Sequence, residues 1–288
     1  MWEGAYTAIV TPFTKSGAVD YTRLGELIDF QIAGGVDGLV PVGTTGESPT
    51  LDYQEHEKVV EFCIERARRR VKIVAGTGAN STAEALELTR HALAAGADAT
   101  LQVTPYYNKP NALGLTRHFS AVADLGLPVV LYNVPGRTAK EIPIDVVVEL
   151  SRHPKVVAIK EAGGSVDRVS QIVTGCDLEV LSGDDSLTLP MMAVGGVGVI
   201  SVVSNVAPRA VSDMVHHALA GRWAEARALH LRHYRLFADL FIDTNPIPVK
   251  TALAMMGRIE ESFRWPLCEM SEPLKKKLAE TLKQVELI

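Results

Sequence analysis

The chain has 288 residues, of which 47% are hydrophobic, and its formal net charge at pH 7 is −5. This length allows one large folded domain or two smaller ones, and the acidic balance argues against a nucleic-acid-binding surface. The three cysteines form no CxxC pair, which argues against a disulfide framework or a zinc site and fits a reducing compartment.

The N-terminal segment, MWEGAYTAIVTPF, lacks the basic start and the apolar centre of a signal peptide, so we expect a cytoplasmic protein. One uncharged stretch, residues 186–208, is long enough to span a bilayer. Its prolines and glycines favour a short helix, a turn and a buried strand instead. We therefore predict no membrane span.

Short apolar runs alternate with helical patterns along the chain. In 20–33 the apolar residues recur at helical spacing behind Asp20, a candidate N-cap, and in 81–95 Ser81 and Glu84 form the S-x-x-E pattern of a capping box. The predicted strands are 5–11, 38–43, 71–76, 99–104, 129–134, 156–161, 178–182 and 197–203.

Alternating strands and helices predict a parallel sheet, and eight such units predict a closed (β/α)8 TIM barrel over residues 1–221. The remainder, residues 222–288, is predicted to be a C-terminal helical extension with helices at 222–241, 247–257 and 272–286. The rival architecture is a doubly wound sheet that binds a dinucleotide at GTGANS, residues 76–81. That match is weak, because Ser81 replaces the third glycine of the fingerprint.

Lysine at the end of an apolar strand is unusual. The run Val156–Ile159 predicts a strand buried on both faces, and Lys160 follows it. The carboxyl ends of barrel strands carry the active site, and burial favours the neutral amine that can attack a carbonyl and form a Schiff base. The alternative is a lysine that reaches outward to water or pairs with a carboxylate.

Two other predicted strand ends carry groups that suit such chemistry. Tyr132 can carry protons, and Arg137 can bind a carboxylate through two hydrogen bonds. Thr44 and Thr45 offer hydroxyl groups near a glycine, suited to a small carboxylate. Taken alone, each also has an ordinary structural explanation: core packing for the tyrosine, a surface charge for the arginine and a plain turn for the threonines.

Two further strand ends carry paired residues. Tyr106 and Tyr107 lie on a proline-bounded loop, where paired aromatic residues often mark an interface. Asp184 and Asp185 could bind a metal ion, but a helix follows them, which favours helix capping.

Seven motifs, in this order along the chain, together resemble the dihydrodipicolinate synthase family: GTTGES, TPYYN, YNVPGR, IKEAG, LSGDD, GVISV and NPIPVK. The resemblance implies a lyase of the class I aldolase type, a 4-hydroxy-tetrahydrodipicolinate synthase that condenses pyruvate with L-aspartate 4-semialdehyde. This is the first committed step of diaminopimelate and lysine biosynthesis. No metal or organic cofactor is implied, because the imine does the work that a class II aldolase gives to a metal ion.

The same resemblance implies roles for single residues. Lys160 would form the imine with pyruvate, and Arg137 would recognise the carboxylate of the semialdehyde. The expected proton relay consists of Tyr132, Thr44 and Tyr107. Tyr107 would come from a neighbouring subunit of a homo-oligomer, which we expect to be a tetramer. The expected pyruvate site includes Thr45, Gly183 and Ile200.

Feedback inhibition by L-lysine is a further expectation from the resemblance. The residues that match the inhibitor site are Ser48, His56, Asn80, Glu84 and Tyr106. Two of these have another explanation, since Glu84 fits the Ser81 capping box and Asn80 could shape the turn before that helix. In addition, Tyr53 stands where some inhibited relatives carry histidine.

Three alternatives remain at this point. A sister aldolase, such as N-acetylneuraminate lyase or a 2-keto-3-deoxy sugar acid aldolase, would share the barrel, the lysine and the tyrosine but usually lacks the arginine found here at Arg137. A catalytically inactive barrel that senses a metabolite would not need to keep Lys160, Tyr132, Thr44 and Tyr107 together. A metal-dependent aldolase would rest on Asp184 and Asp185.

Overall fold

A closed barrel of eight parallel strands forms the centre of the molecule, and the computed structural model describes residues 1–288 in full. Each strand pairs with the next along the chain, and Gly4 of the first lies opposite Gly198 of the last, which closes the barrel. The strands are β1 (Gly4–Thr7), β2 (Gly38–Leu39), β3 (Lys72–Gly76), β4 (Ala99–Val103), β5 (Val129–Asn133), β6 (Val156–Glu161), β7 (Glu179–Ser182) and β8 (Gly198–Ser201). The predicted TIM barrel is confirmed, and the doubly wound alternative is wrong.

Helices surround the barrel and continue beyond it. Those of the barrel region are α1 (Tyr21–Ala33), α2 (Tyr53–Ala67), α3 (Thr82–Ala95), α4 (Ala112–Ala123), α5 (Pro135–Thr138), α6 (Ile144–Leu150), α7 (Val166–Gly175), α8 (Thr188–Ala193) and α9 (Pro208–Leu219). The C-terminal helices are α10 (Trp223–Asp239), α11 (Ile247–Met255) and α12 (Glu272–Gln284). All three predicted C-terminal helices are present; the division of the chain at residue 221 stays a prediction.

The helix caps agree only in part with the sequence patterns. The Asp20 side chain accepts a hydrogen bond from the backbone N–H of Arg23, so this cap is confirmed. Ser81 occupies the N-cap position of α3 but makes no capping hydrogen bond with its side chain, so the Ser81–Glu84 capping box is wrong. The capping box of the chain lies at the start of α2, between Asp52 and Glu55.

The uncharged stretch 186–208 does not cross a membrane as a single helix. It contains most of the 3-10 turn Asp185–Leu187, then α8, β8 and a second 3-10 turn at Val203–Asn205. None of the helices in the structure combines the length and the apolar character that a membrane crossing needs.

Alternation along the strands places the side chains of Tyr132 and Lys160 inside the barrel. Val130 and Tyr132 of β5 pack with Ala158 of β6 in the interior cluster, whereas Leu131 and Ile159 pack outward against the helices. Tyr132 lies opposite Lys160 in the register of β5 and β6. Because paired residues of neighbouring strands point to the same face, both side chains point inward at the carboxyl end of the barrel.

Candidate active site

Lys160 is buried without a countercharge in contact. Its side chain is 5% exposed, and Nζ lies 4.3 Å from the centre of the Tyr132 ring. The only other buried lysine is Lys250, which forms an ion pair with Glu47, whereas no carboxylate lies within salt-bridge distance of Lys160. An amine held beside an aromatic face and free of a carboxylate is available to react with a carbonyl.

A cavity of about 210 Å³ opens at this end of the barrel, which suits a small organic acid. Thr44, Tyr132 and Arg137 line it together. These three come from the ends of β2 and β5, so the barrel brings together groups that lie far apart in the sequence. Lys160 does not line this cavity itself, but its Nζ atom lies against the ring of Tyr132, which does.

The loop after β2 is held in an unusual conformation. Val42 and Glu47 both have positive φ angles, 51° and 56°, which a β-branched residue such as valine adopts only under strain. The Glu47 carboxylate is fully buried and pairs with Lys250, although its Oε2 atom has no hydrogen-bond partner. Burial lowers the pKa of Lys250, and Glu47 opposes that change. This ion pair anchors the loop that carries Thr44 and Thr45.

Arg137 and Thr45 meet at a residue that the sequence did not suggest. The Nη2 atom of Arg137 donates a hydrogen bond of 2.9 Å to the backbone carbonyl of Asn245, and the Asn245 side-chain amide donates one of 3.0 Å to Thr45 Oγ1. Thr45 is buried, whereas Arg137 is exposed at the rim of the cavity. Asn245 lies just before α11, about 200 residues after Thr45 in the chain.

The two residues predicted to border the pyruvate belong to the two strands that follow Lys160 in the sheet order. Gly183 follows β7, and a Cβ atom at this position would lie 3.0 Å from Lys160 Cε and 2.6 Å from the Ala162 side chain. A larger residue would therefore displace Ala162 and the Lys160 side chain. Ile200 of β8 is fully buried in the interior cluster that also contains Tyr132.

Asp184 and Asp185 do not cap the helix that follows them, so this sequence interpretation is wrong. Asp184 makes no capping hydrogen bond and instead accepts from the Gly164 backbone N–H at 3.2 Å. Asp185 is buried and accepts from Ser201 Oγ and from the backbone N–H groups of Val202 and Val203, at the turn after β8. Burial raises the pKa of both carboxyl groups, and the nearby charge of Lys160 opposes the rise.

Tyr107 does not reach the cavity of its own chain. Its side chain is 91% exposed and its φ angle is +70°, so the backbone directs the ring away from the barrel at a conformational cost. Tyr106, in contrast, is 37% exposed and lines the cavity.

The residues predicted to bind L-lysine are only partly brought together. Burial, and then the charge of Glu84, raise the pKa of the Tyr106 hydroxyl, whereas the Asn80 backbone opposes the rise. Ser48 lines the cavity with Tyr106. His56 is buried beneath them, with Nε2 bonded to the Gly76 carbonyl at 2.9 Å, so it presents no free surface.

Sequence reasoning missed Asn245, Glu47 and Lys250 as parts of the site. The signal was present, because GTTGES contains Glu47 and NPIPVK contains both Asn245 and Lys250. No periodicity or spacing joins two motifs that are 200 residues apart, so only the fold reveals their contact.

Comparison with known proteins places this geometry in a family. The model of the dihydrodipicolinate synthetase family matches residues 1–285. The 4-hydroxy-tetrahydrodipicolinate synthase of Geobacter sulfurreducens is 53% identical to this chain, and the match covers 100% of each protein.

Solved structures agree with the same relationship. The chloride-inhibited dihydrodipicolinate synthase of Acinetobacter baumannii complexed with pyruvate is 43% identical, with a TM-score of 0.98 over 100% of both chains. The enzyme of Cyanidioschyzon merolae with lysine bound is 36% identical, with a TM-score of 0.96 over 100% of this chain and 99% of that one. The chain therefore belongs to the dihydrodipicolinate synthetase family, whose members are lyases of the class I aldolase type.

Proposed function

We propose that Lys160 forms a Schiff base with pyruvate and that the chain condenses this adduct with L-aspartate 4-semialdehyde. The observation that carries the residue assignment is the contrast between the two buried lysines. Lys250 is neutralised by Glu47, while Lys160 lies unpaired beside Tyr132 at the catalytic end of the barrel. The pyruvate complex of the Acinetobacter relative supports pyruvate as the first substrate.

The proposed reaction proceeds through an enamine. The Lys160 amine attacks the keto carbon of pyruvate, and loss of water gives the protonated imine. This imine withdraws electrons, so a proton leaves the pyruvate methyl group, and the resulting enamine carbon attacks the aldehyde of the second substrate. Tyr132 and Thr44, which share the cavity, carry the protons, and Tyr107 of a second subunit completes the relay.

Two residues are assigned to the substrate carboxylates. The Thr45 hydroxyl donates a hydrogen bond to the carboxylate of pyruvate, beside Gly183 and Ile200. Arg137 binds the carboxylate of the semialdehyde at the rim of the cavity. An arginine at this position favours the semialdehyde over the sugar acids used by sister aldolases.

We further propose a homo-oligomer, with a tetramer as the expected form. The support is Tyr107, whose ring is almost fully exposed and cannot serve the cavity of its own chain. An exposed aromatic residue with a strained backbone is well suited to enter a neighbouring subunit. We also propose a cytoplasmic location, since Cys63, Cys176 and Cys268 are all free.

L-Lysine is proposed as a feedback inhibitor that binds near Glu84, Asn80 and Tyr106, with Ser48 and His56 at the margin. The loss of the capping explanation for Glu84 strengthens its assignment to a ligand, because its carboxylate can pair with the ammonium group of an amino acid. The lysine complex of the Cyanidioschyzon relative supports the ligand class.

Trapping of the imine tests the central assignment. The protein is incubated with pyruvate, reduced with borohydride and digested, and the adduct is located by mass spectrometry. We expect modification at Lys160 and none in the Lys160→Met variant. An adduct at another lysine, with Lys160 unmodified, would refute the assignment. Activity towards the semialdehyde, compared with sugar-acid substrates, separates the proposed enzyme from a sister aldolase.

A further inference from the structure

Asn245 contacts both residues that we assign to substrate carboxylates. Its side-chain Nδ2 donates to Thr45 Oγ1 at 3.0 Å, and its backbone carbonyl accepts from Arg137 Nη2 at 2.9 Å. The residue is 6% exposed and comes from the segment between α10 and α11, outside the strand ends that carry the reacting groups. A single residue of the C-terminal region thus links the two halves of the substrate site.

The hydrogen bond to Thr45 has a direction, and the direction matters. A threonine hydroxyl holds one proton to donate and two lone pairs to accept with. Since Thr45 Oγ1 accepts from the amide and makes no other hydrogen bond in the protein, its proton remains available. An ionised carboxylate can only accept, so a hydroxyl held in this way is prepared to bind one.

The other end of the amide supports a role beyond packing. Asn245 Oδ1 is buried and has no hydrogen-bond partner in the protein. A buried polar atom without a partner is costly, and the great majority of such atoms in proteins are paired. An apolar residue would avoid that cost, so what the asparagine contributes here is its bond to Thr45.

We propose that Asn245 is a positioning residue that keeps the Thr45 hydroxyl oriented as a donor to the pyruvate carboxylate, while its backbone carbonyl orients Arg137 for the second substrate. This inference rests on the proposed function. The inference predicts different effects on the two substrates. The Asn245 side chain contacts the residue assigned to pyruvate, whereas its backbone contacts the residue assigned to the semialdehyde. Substitution of the side chain should therefore weaken pyruvate binding and spare the semialdehyde.

Asn245→Asp is the sharpest test. An aspartate carboxylate cannot donate a hydrogen bond. It would instead accept one from the Thr45 hydroxyl, which then has no hydrogen left to donate to the substrate. We expect the pyruvate concentration for half-maximal borohydride trapping to rise by about tenfold or more, the effect of losing one charge-assisted hydrogen bond. The KM for the semialdehyde should change by less than about threefold, because the Arg137 bond is made by the backbone. Thr244→Asp adds the same charge at the exposed neighbouring position and should bind pyruvate as the wild type does.

Two more variants make the result specific. Asn245→Ala removes the hydrogen-bond donor without adding charge, and we expect it to lose less pyruvate affinity than Asn245→Asp. If Asn245→Asp does not fold, the pyruvate affinity of Asn245→Ala tests the proposal. In a Thr45→Val background, Asn245→Asp should weaken pyruvate binding little further, since the hydroxyl through which it acts is gone. A full additional loss would mean charge repulsion and would overturn the proposal.

The outcomes also separate this inference from the function on which it rests. If Thr45→Val binds pyruvate normally, the assignment of Thr45 in the proposed function is wrong. If Thr45→Val loses affinity while Asn245→Asp and Asn245→Ala, both folded, bind pyruvate as the wild type does, only the role of Asn245 is refuted. Equal losses for both substrates in the folded Asn245 variants would mark the amide as merely structural, which also refutes the proposal.

Discussion

The buried ion pair between Lys250 and Glu47 offers the clearest test of what stabilises the loop that carries Thr44 and Thr45. Both side chains are fully buried, and Lys250 Nζ lies 4.2 Å from the centre of the Phe13 ring and 5.2 Å from that of Phe263. The substitution Lys250→Met replaces the lysine with an unbranched apolar side chain one atom shorter and leaves the Glu47 carboxylate buried without a countercharge.

The expected loss of stability follows from the burial. Removal of one partner of a buried ion pair typically costs about 3–5 kcal/mol, because the remaining charge is uncompensated. At about 2.1 cal/mol/K per residue, the unfolding entropy of the 288 residues is about 0.6 kcal/mol/K. A loss of about 4 kcal/mol therefore lowers Tm by about 7 °C.

A matched set of variants tests this reasoning by thermal and urea unfolding at pH 7. Glu47→Met/Lys250→Met removes both charges, and we expect it to recover most of the loss, because an apolar pair can replace a buried ion pair at little cost. Lys15→Met breaks a pair whose lysine side chain is 85% exposed and should change Tm little. The reasoning is refuted if Lys250→Met is as stable as Lys15→Met, or if the double variant is no more stable than the single one.

Four further predictions concern the reaction, its regulation and its pH dependence. Tyr132→Phe should lower kcat by about 100-fold, as for a lost acid–base group, whereas Arg137→Ala should mainly raise the KM for the semialdehyde; reversed effects in steady-state kinetics would contradict both roles. Tyr107→Phe should lose most activity, and a fully active monomer in sedimentation under assay conditions would contradict the shared site. Glu84→Ala should lose inhibition by L-lysine with stability nearly unchanged, and a wild type that millimolar lysine neither inhibits nor binds in calorimetry would exclude the inhibitor site. Burial lowers the pKa of His118 to about 4 from 6.5, so its unfolded form binds a proton at a higher pH than its folded form. Stability should therefore fall by up to about 1.4 kcal/mol per unit as the pH drops from 6.5 towards 4, and urea unfolding of His118→Gln should show a shallower fall; identical slopes would contradict this.

Local patterns were sufficient for the barrel, because each strand and helix carries its own signal. The run 156–161 was predicted as a strand and is β6. The prediction for 38–43 is too long, since regular strand structure in β2 covers only Gly38 and Leu39. Single backbone hydrogen bonds continue at Val40 and Pro41, and the chain turns away at Val42, where φ is positive. An apolar run predicts burial, but it does not reveal where a strand stops pairing.

Helix-start patterns were a weaker guide. Ser81 and Glu84 have the residues and the spacing of a capping box, yet no capping bond from Ser81 forms, and Glu84 lies near Tyr53 and Tyr106 instead. Both tyrosines come from other segments, and nothing in the window 81–84 indicates that they approach Glu84. The box at Asp52 and Glu55 has the same spacing and does form, although the Glu55 carboxylate also pairs with Arg264 of the C-terminal region.

The site itself could be predicted at the strand ends and not beyond them. Lys160 and Tyr132 are prominent because a polar group at the end of an apolar strand contradicts its surroundings. Asn245 and Lys250 lie in a helical region, where polar residues are ordinary, and their partners Thr45 and Glu47 are 200 or more residues away. A hydrogen bond between residues so far apart in the chain depends on the topology of the whole fold, which local sequence patterns do not predict.

The late position of Asn245 and Lys250 has a consequence for the synthesis of the protein. A ribosome makes the chain from its N-terminus, so all eight strands, with Lys160, Tyr132 and Thr44, are complete by residue 201, long before these two residues are added. Until then, the carboxylate of Glu47 has no lysine and the hydroxyl of Thr45 has no amide. The nascent barrel therefore carries every group proposed to react, while the loop with Thr44 and Thr45 still lacks its contacts to the C-terminal region. A nonsense mutation shortly after residue 221 would spare every group proposed to react and still abolish the enzyme.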